Sequence, residues 1–178
     1  MSRMHTPAPE SATGATAEIY AQIRKVAGRV PNTFAAIGAY GPGALKAVLS
    51  ADAVLASGSL SRQELEVIKL VASRAAGCDY CVNAHSFLGK LAGLQPAVLA
   101  QLRSNDPTGD AKRDALAHFV RVLTQSRGTI PNEEFEAIRS AGYTEVQLVD
   151  ISLALAVTAF TNIFNRINDT DNDFPVAA

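Results

Sequence analysis

Two helix-capping motifs constrain the fold of this 178-residue chain more strongly than any other feature. Residues 61–64 read Ser-Arg-Gln-Glu, and residues 144–147 read Thr-Glu-Val-Gln. The first and fourth side chains of such a capping box satisfy free backbone amides, so each motif predicts the start of a helix. Each motif also leads into a long apolar segment. This similarity fits either a two-fold internal helical repeat or two independent uses of a common motif.

Glycine and proline residues divide the rest of the chain into further helical segments. Between them, apolar residues recur at three- and four-residue spacing, and no alternating pattern is long enough for a strand. We therefore predict an all-α fold, with a flexible N-terminal arm over residues 1–14 and a single helical domain over residues 15–178. Its main helices are predicted at 15–26, 44–56, 61–75, 78–91, 96–103 and 144–167, with shorter ones around 116–123 and 135–138.

Composition and charge exclude several classes of function. The net charge is -1 and no segment concentrates Lys and Arg, which argues against nucleic acid and anionic membranes as partners. The most apolar segment, residues 151–164, is shorter than a membrane span and contains hydroxyl and amide side chains, so we predict a buried helix there. The first ten residues do not resemble a signal peptide, and we expect a cytoplasmic protein. Cysteine pairs in that compartment are typically catalytic or metal-binding.

The only two cysteines, Cys78 and Cys81, are three residues apart. On a helix they share one face with His85, which lies one turn after Cys81. Gly77 ends the preceding helix, so the pair falls at a helix start, where free amides and the helix dipole favour thiolate over thiol. His85 is placed to transfer a proton to or from Cys81. This pattern predicts a redox-active thiol site.

The residues alone leave other interpretations open. The cysteine pair and His85 supply three soft ligands, and Glu66 or His118 is a candidate fourth ligand for zinc, although three ligands on one helix give poor tetrahedral geometry. By spacing, Glu66 is better explained as a surface partner of Lys69. The same thiols would also serve a thiol–disulfide oxidoreductase or a redox sensor. A non-catalytic helical scaffold is a further alternative.

Taken together, these residues resemble the superfamily of alkylhydroperoxidase D and carboxymuconolactone decarboxylase. In that superfamily a Glu lies twelve residues before a Cys-x-x-Cys pair and a His lies four residues after it. Glu66, the cysteine pair and His85 match those intervals. Segments 30–34 and 162–166 are also similar to family features, so the likeness extends over residues 15–170.

The resemblance implies an AhpD-like helical bundle that acts as a hydroperoxide reductase. It implies Cys81 as the attacking thiolate, Cys78 as the resolving partner, and Glu66 with His85 as a proton relay that needs no cofactor and no metal. It also implies a homo-oligomer, trimeric or hexameric, and a lipoyl- or thioredoxin-like dithiol as the reductant. Position on the helix alone favours Cys78 as the more acidic thiol, so the roles of the two cysteines stay open.

Tyr80 departs from the family pattern. Some peroxidase members have a second His immediately before the second Cys, where this chain has Tyr80. Tyr80 can donate a hydrogen bond to a peroxide or to a relay water, but it is a poor base near neutral pH. The resemblance therefore predicts a weaker peroxidase. Decarboxylase members typically lack the Cys pair, so its presence here argues against lactone decarboxylation.

Overall fold

The computed structural model describes residues 1–126 and 128–177, and all regular structure in those ranges is helical. The predicted all-α fold is confirmed. A short 3-10 turn, Pro9–Ser11, precedes the helices. These are α1 (Gly14–Ala27), α2 (Asn32–Tyr40), α3 (Pro42–Ala56), α4 (Arg62–Ala75), α5 (Asp79–Leu91), α6 (Pro96–Ser104), α7 (Ala111–Ser126), α8 (Asn132–Ser140) and α9 (Glu145–Asn168).

Both predicted capping boxes form. The backbone amide of Glu64 donates to Ser61 Oγ at 3.2 Å, and the Ser61 amide donates back to Glu64 Oε2 at 2.8 Å. Thr144 and Gln147 exchange the equivalent bonds at 3.0 and 3.3 Å. The helices that they open, α4 and α9, pack against each other. The internal repeat itself stays a prediction, as does the flexibility of residues 1–14.

Helix α4 lies at the centre of the domain. It contacts α5, α6, α7 and α9, and its buried residues include Val67, Ile68 and Leu70. Burying such side chains is the dominant favourable term in folding, so α4 and its neighbours form the main core. Helices α1, α2 and α3 contribute a second, smaller cluster around Tyr20 and Leu45.

A glycine allows α5 to approach α4 and α6 closely. A Cβ atom built on Gly89 would lie 2.9 Å from Leu99 and 3.7 Å from the Cβ of Glu66. Any larger side chain would push the helices apart, because well-packed interiors have little room to adjust. Gly89 lies one turn after His85, so this close approach positions the first half of α5 against the face of α4 that carries Glu66.

Helix α9 has a larger exposed apolar face than its sequence suggested. It is long and apolar enough to cross a membrane by length and composition, with a mean hydropathy of 1.6 over its most apolar window. Only 22% of that window is buried, so the prediction of a buried helix is wrong for the single chain. Its buried face combines Ile151 and Ala154 with polar residues near the C-terminal end. The exposed apolar residues are Val146, Val149, Phe160, Ile163 and Ile167.

Candidate active site

The two cysteines lie where α4 gives way to α5. Gly77 has a positive φ of 64°, which turns the chain after α4 and is favourable only for residues without a side chain. Cys78 then caps α5, with its Sγ accepting a hydrogen bond from the Cys81 amide at 3.3 Å. The helix therefore starts one residue later than predicted. Cys78 and Cys81 form a disulfide across a Cα–Cα distance of 5.3 Å, within the usual range.

Both cysteines are buried. Each is only 2% exposed, and together with Tyr80 they form a small apolar cluster against which Phe174 packs. A sulfur that is shielded in this way is out of reach of a bulky reductant until some part of the cover moves, because thiol–disulfide exchange requires direct attack on sulfur. Access to the disulfide is therefore a structural property of this site.

Glu66, on α4, and His85, on α5, form a pair. His85 Nδ1 lies 2.9 Å from Glu66 Oε2, and both side chains are 14% exposed. The surface pairing of Glu66 with Lys69, which spacing alone favoured, is wrong, since Lys69 binds Asp52 at 2.7 Å. A carboxylate that accepts from Nδ1–H leaves the lone pair on Nε2, the tautomer that a proton relay needs. His85 lies one helical turn after Cys81.

The hydroxyl of Tyr80 is already bound within the chain. It donates to Asp173 Oδ1 at 2.8 Å and accepts from the Thr33 amide at 3.3 Å. Burial raises the pKa of Tyr80 far above its usual range, and the neighbouring Asp173 carboxylate raises it further. Tyr80 therefore stays protonated and donates to Asp173 in this conformation. Its donation to a peroxide stays a prediction.

Residues 169–177, which we call the C-terminal strap, cross the start of α5. Asp173 pairs with Arg29 and accepts from the Asn32 amide at 3.0 Å. Phe174 packs edge-on against Tyr80 with ring centroids 5.6 Å apart, and the Arg29 guanidinium lies 4.8 Å from the centroid of the Phe174 ring. These contacts hold Phe174 over the cysteine cluster. The sequence alone did not indicate this cover, although an aromatic residue in a polar tail was a possible signal.

The sequence profile of the Carboxymuconolactone decarboxylase family matches residues 42–119. This segment contains Glu66, both cysteines and His85. Over this segment, the match supports the resemblance to the alkylhydroperoxidase D/carboxymuconolactone decarboxylase superfamily. No curated protein matches the sequence.

Solved structures share the AhpD-like fold over nearly the whole chain. An alkylhydroperoxidase AhpD core, an uncharacterized peroxidase-related protein from Ralstonia eutropha JMP134, is 23% identical, with a TM-score of 0.84 over 97% of this chain and 92% of that one. A peroxidase-related protein from Silicibacter sp. TM1040 is 21% identical, with a TM-score of 0.83 over 96% and 91%. The debrominase Bmp8, as a cysteine-to-alanine variant in complex with 2,3,4-tribromopyrrole, is 17% identical, with a TM-score of 0.82 over 97% and 94%. At these identities the likeness establishes the fold.

One further residue contacts the cysteine pair of this AhpD-like fold. The side-chain amide of Asn165, on the buried face of α9, donates to Cys81 Sγ at 3.3 Å. Asn162, one turn earlier, instead accepts from Ser73 Oγ at 3.1 Å. The resemblance pointed to segment 162–166 without assigning a role to Asn165. A signal was present in the sequence, because asparagines at positions 162, 165 and 168 interrupt an otherwise apolar helix.

The residues suggested as zinc ligands are otherwise engaged. Cys78 and Cys81 are joined to each other, and His85 binds Glu66. His118 pairs with Glu134 at 2.9 Å on the surface. Across residues 1–126 and 128–177, no three His, Cys, Asp or Glu side chains gather in a metal-binding arrangement. The arrangement of these residues is suited to moving protons and exchanging disulfides.

We expect the Phe174→Ala variant to be reduced faster than the unmodified protein. Losing about 1–2 kcal/mol of strap packing would raise the fraction of open strap, and with it the rate of disulfide reduction, by about five- to thirty-fold. The measurement is reduction of the native disulfide by dithiothreitol, followed by thiol release. Phe135→Ala, which removes a half-exposed Phe on α8, is the control. Equal rates for all three proteins would show that the strap does not limit access.

Proposed function

We propose that this chain is a thiol-dependent hydroperoxide reductase with a Cys78–Cys81 redox disulfide. The observation that carries the proposal is the pairing of these cysteines at the start of the helix on which His85, bound to Glu66, follows Cys81 by one turn. The match of residues 42–119 to the carboxymuconolactone decarboxylase family, and the fold shared with a peroxidase-related protein and a debrominase, support an enzyme of this kind.

The first step is attack of the reduced enzyme on the peroxide. His85 accepts the proton of the Cys81 thiol, and Glu66 stabilises the resulting imidazolium. The thiolate attacks the distal oxygen of the O–O bond and becomes a sulfenic acid, while the bond breaks and releases an alkoxide. The alkoxide takes the proton from His85 and leaves as an alcohol, or as water when the substrate is hydrogen peroxide.

The second step closes the disulfide. The Cys78 thiol attacks the sulfenic sulfur, the S–S bond forms and water leaves. The 5.3 Å Cα separation brings the two sulfurs together without moving the backbone far. An external dithiol, lipoyl- or thioredoxin-like, then reduces the pair by exchange and becomes a disulfide itself. We assign the attack to Cys81 because His85 lies one turn from it, although the helix start favours the Cys78 thiolate.

A thiol–disulfide oxidoreductase or redox sensor is the second candidate. The Tyr80 hydroxyl, which would otherwise assist a peroxide, is bound to Asp173, and this observation favours chemistry without peroxide. Such a protein would use the same cysteines but exchange them with a partner disulfide. Kinetics with defined substrates separate the two functions.

The test is single-turnover peroxide consumption by the pre-reduced protein. We expect hydrogen peroxide or an organic hydroperoxide to be consumed with a stoichiometry of one per subunit as the intramolecular disulfide forms. Exchange with oxidised lipoamide or thioredoxin in the absence of any peroxide consumption would instead support the oxidoreductase. A parallel assay with a brominated pyrrole as the substrate tests for debrominase activity. Stoichiometric zinc that survives dialysis would contradict both redox proposals.

A homo-oligomer, trimeric or hexameric, is also proposed. The exposed apolar face of α9 includes Val149, Phe160 and Ile163, and a group of exposed apolar side chains on one helix commonly marks an interaction surface. A second copy that covers this face would remove that apolar surface from solvent. Light scattering of the purified protein tests the subunit number.

A further inference from the structure

We propose that the side-chain amide of Asn165 is a positioning residue that holds and stabilises the Cys81 thiolate. The inference deepens the proposed function, since it rests on Cys81 being the reactive thiol. It also assigns a purpose to a buried asparagine on α9, more than two turns beyond the apolar residues Ile151 and Ala154 that pack into the core.

The geometry places a donor directly on the sulfur. Asn165 Nδ2 lies 3.3 Å from Cys81 Sγ, with the asparagine 4% and the cysteine 2% exposed. A disulfide sulfur is a weak acceptor, whereas a thiolate carries a full charge, and hydrogen bonds to charged groups are roughly twice as strong as neutral ones. The contact therefore gains strength when the disulfide is reduced. Because the site is buried, water does not compete for the sulfur.

The buried side chain of Asn165 lowers the stability of the fold, which indicates that it is kept for a role in the chemistry of the site. Among the described residues, Asn165 Oδ1 is buried without a hydrogen-bond partner. A buried, unsatisfied acceptor destabilises the fold, and a leucine of similar size would avoid that loss. Asn162 differs, because its Oδ1 accepts from Ser73. Stability is commonly sacrificed in this way at functional sites.

The amide complements the proton relay. His85, one helical turn after Cys81 on α5, is paired with Glu66 on α4 and can move the proton, whereas an amide neither gains nor loses one near neutral pH. Asn165 approaches from α9 and faces the charge that remains on sulfur. Cys78 and Tyr80 lie in the same cluster as Cys81, and Tyr80 is bound to Asp173 on the strap, which pairs with Arg29. Variants of Asn165 leave these groups in place.

The experiment compares Asn165→Leu and Asn165→Asp with Asn162→Leu, each in a Cys78→Ser background so that Cys81 is the single thiol. Iodoacetamide alkylation is followed against pH. For Asn165→Leu we expect the half-point of the profile to rise by about one pH unit, from the energy of a hydrogen bond to a charged group. For Asn165→Asp we expect a larger rise, because a carboxylate repels the thiolate. Asn162→Leu is expected to leave the half-point unchanged.

A second readout uses the intact cysteine pair. Removing a bond that favours the reduced form should shift the dithiol–disulfide equilibrium of Asn165→Leu about ten-fold towards the disulfide, equivalent to about 30 mV. Its thermal stability should equal or exceed that of the unmodified protein, a result that a merely structural asparagine would not give. The isosteric Asn165→Asp variant keeps the test valid if the leucine variant does not fold.

Failure of the inference is separable from failure of the proposed function, because neither measurement involves peroxide. Unchanged half-points in both Asn165→Leu and Asn165→Asp would overturn the role of Asn165, whatever the protein does with peroxide. A raised half-point in a protein that consumes no peroxide would uphold the role and overturn the peroxidase.

Discussion

Cys81→Ser is expected to lower peroxide turnover by at least about a thousand-fold, whereas Cys78→Ser is expected to retain a single turnover per subunit. A serine hydroxyl stays protonated near neutral pH, so it cannot replace the attacking thiolate. Without Cys78 the attack still occurs, but the sulfenic acid has no partner with which to form a disulfide. Rapid peroxide consumption, combined with a sulfenic-acid trap and mass spectrometry, distinguishes the two variants.

The opposite pattern would reassign the roles. If Cys81→Ser keeps the single turnover and Cys78→Ser loses it, the cap of α5 is the attacking residue, as its position at the helix dipole favours. If both variants consume peroxide at the normal rate, the thiol mechanism is wrong. The comparison requires reduced samples throughout, because the disulfide of the unmodified protein itself alters stability.

His85→Ala is expected to slow the reaction of Cys81 by about a hundred-fold or more, the usual contribution of a positioned acid–base group. Glu66→Gln should slow it by at least about ten-fold, because a neutral amide neither stabilises an imidazolium nor fixes the tautomer of His85. Both changes remove stabilisation of the thiolate, so the pH at which Cys81 is half ionised should move upward. Alkylation and peroxide consumption across pH measure the two effects.

The chain offers a matched control for the relay. His118 and Glu134 form a second histidine–carboxylate pair, with Nε2 and Oε2 also 2.9 Å apart, but it lies on the surface. His118→Ala should leave both profiles unchanged. A relay variant that behaves like His118→Ala would show that Glu66 and His85 only pack beside the cysteines.

Local sequence rules predicted the helices except α2, because the determinants of a helix are mostly local. The capping boxes at Ser61 and Thr144 form as written, and Gly77 turns the chain where α4 ends. The error at α9 has a different cause. The sequence shows that α9 is apolar. Whether a neighbouring helix covers each apolar face depends on tertiary packing, which hydrophobicity alone does not predict. The result is a helix that is buried on one face only.

In the candidate site too, contacts between residues close in sequence were predictable, and contacts between distant residues were not. Helical spacing placed Cys78, Cys81 and His85 together, because residues three and four apart share a face. Asn165 contacts Cys81 across 84 positions of sequence, and Asp173 contacts Tyr80 across 93. Local sequence patterns do not predict contacts between residues so far apart in the sequence. The partner of Glu66 was also misread from spacing, since it depends on the close approach of two helices.

The strap makes the chain ends part of the site. Ser2 donates its amide to Asp171 at 3.1 Å and the Arg3 amide donates to the Asn168 carbonyl at 2.6 Å, so the first residues hold the segment that carries Phe174 over the cysteines. An affinity tag fused near either end would therefore compete with these contacts and change how easily the disulfide is reached. Rates measured on differently tagged preparations would then differ for reasons unrelated to the substitutions under study.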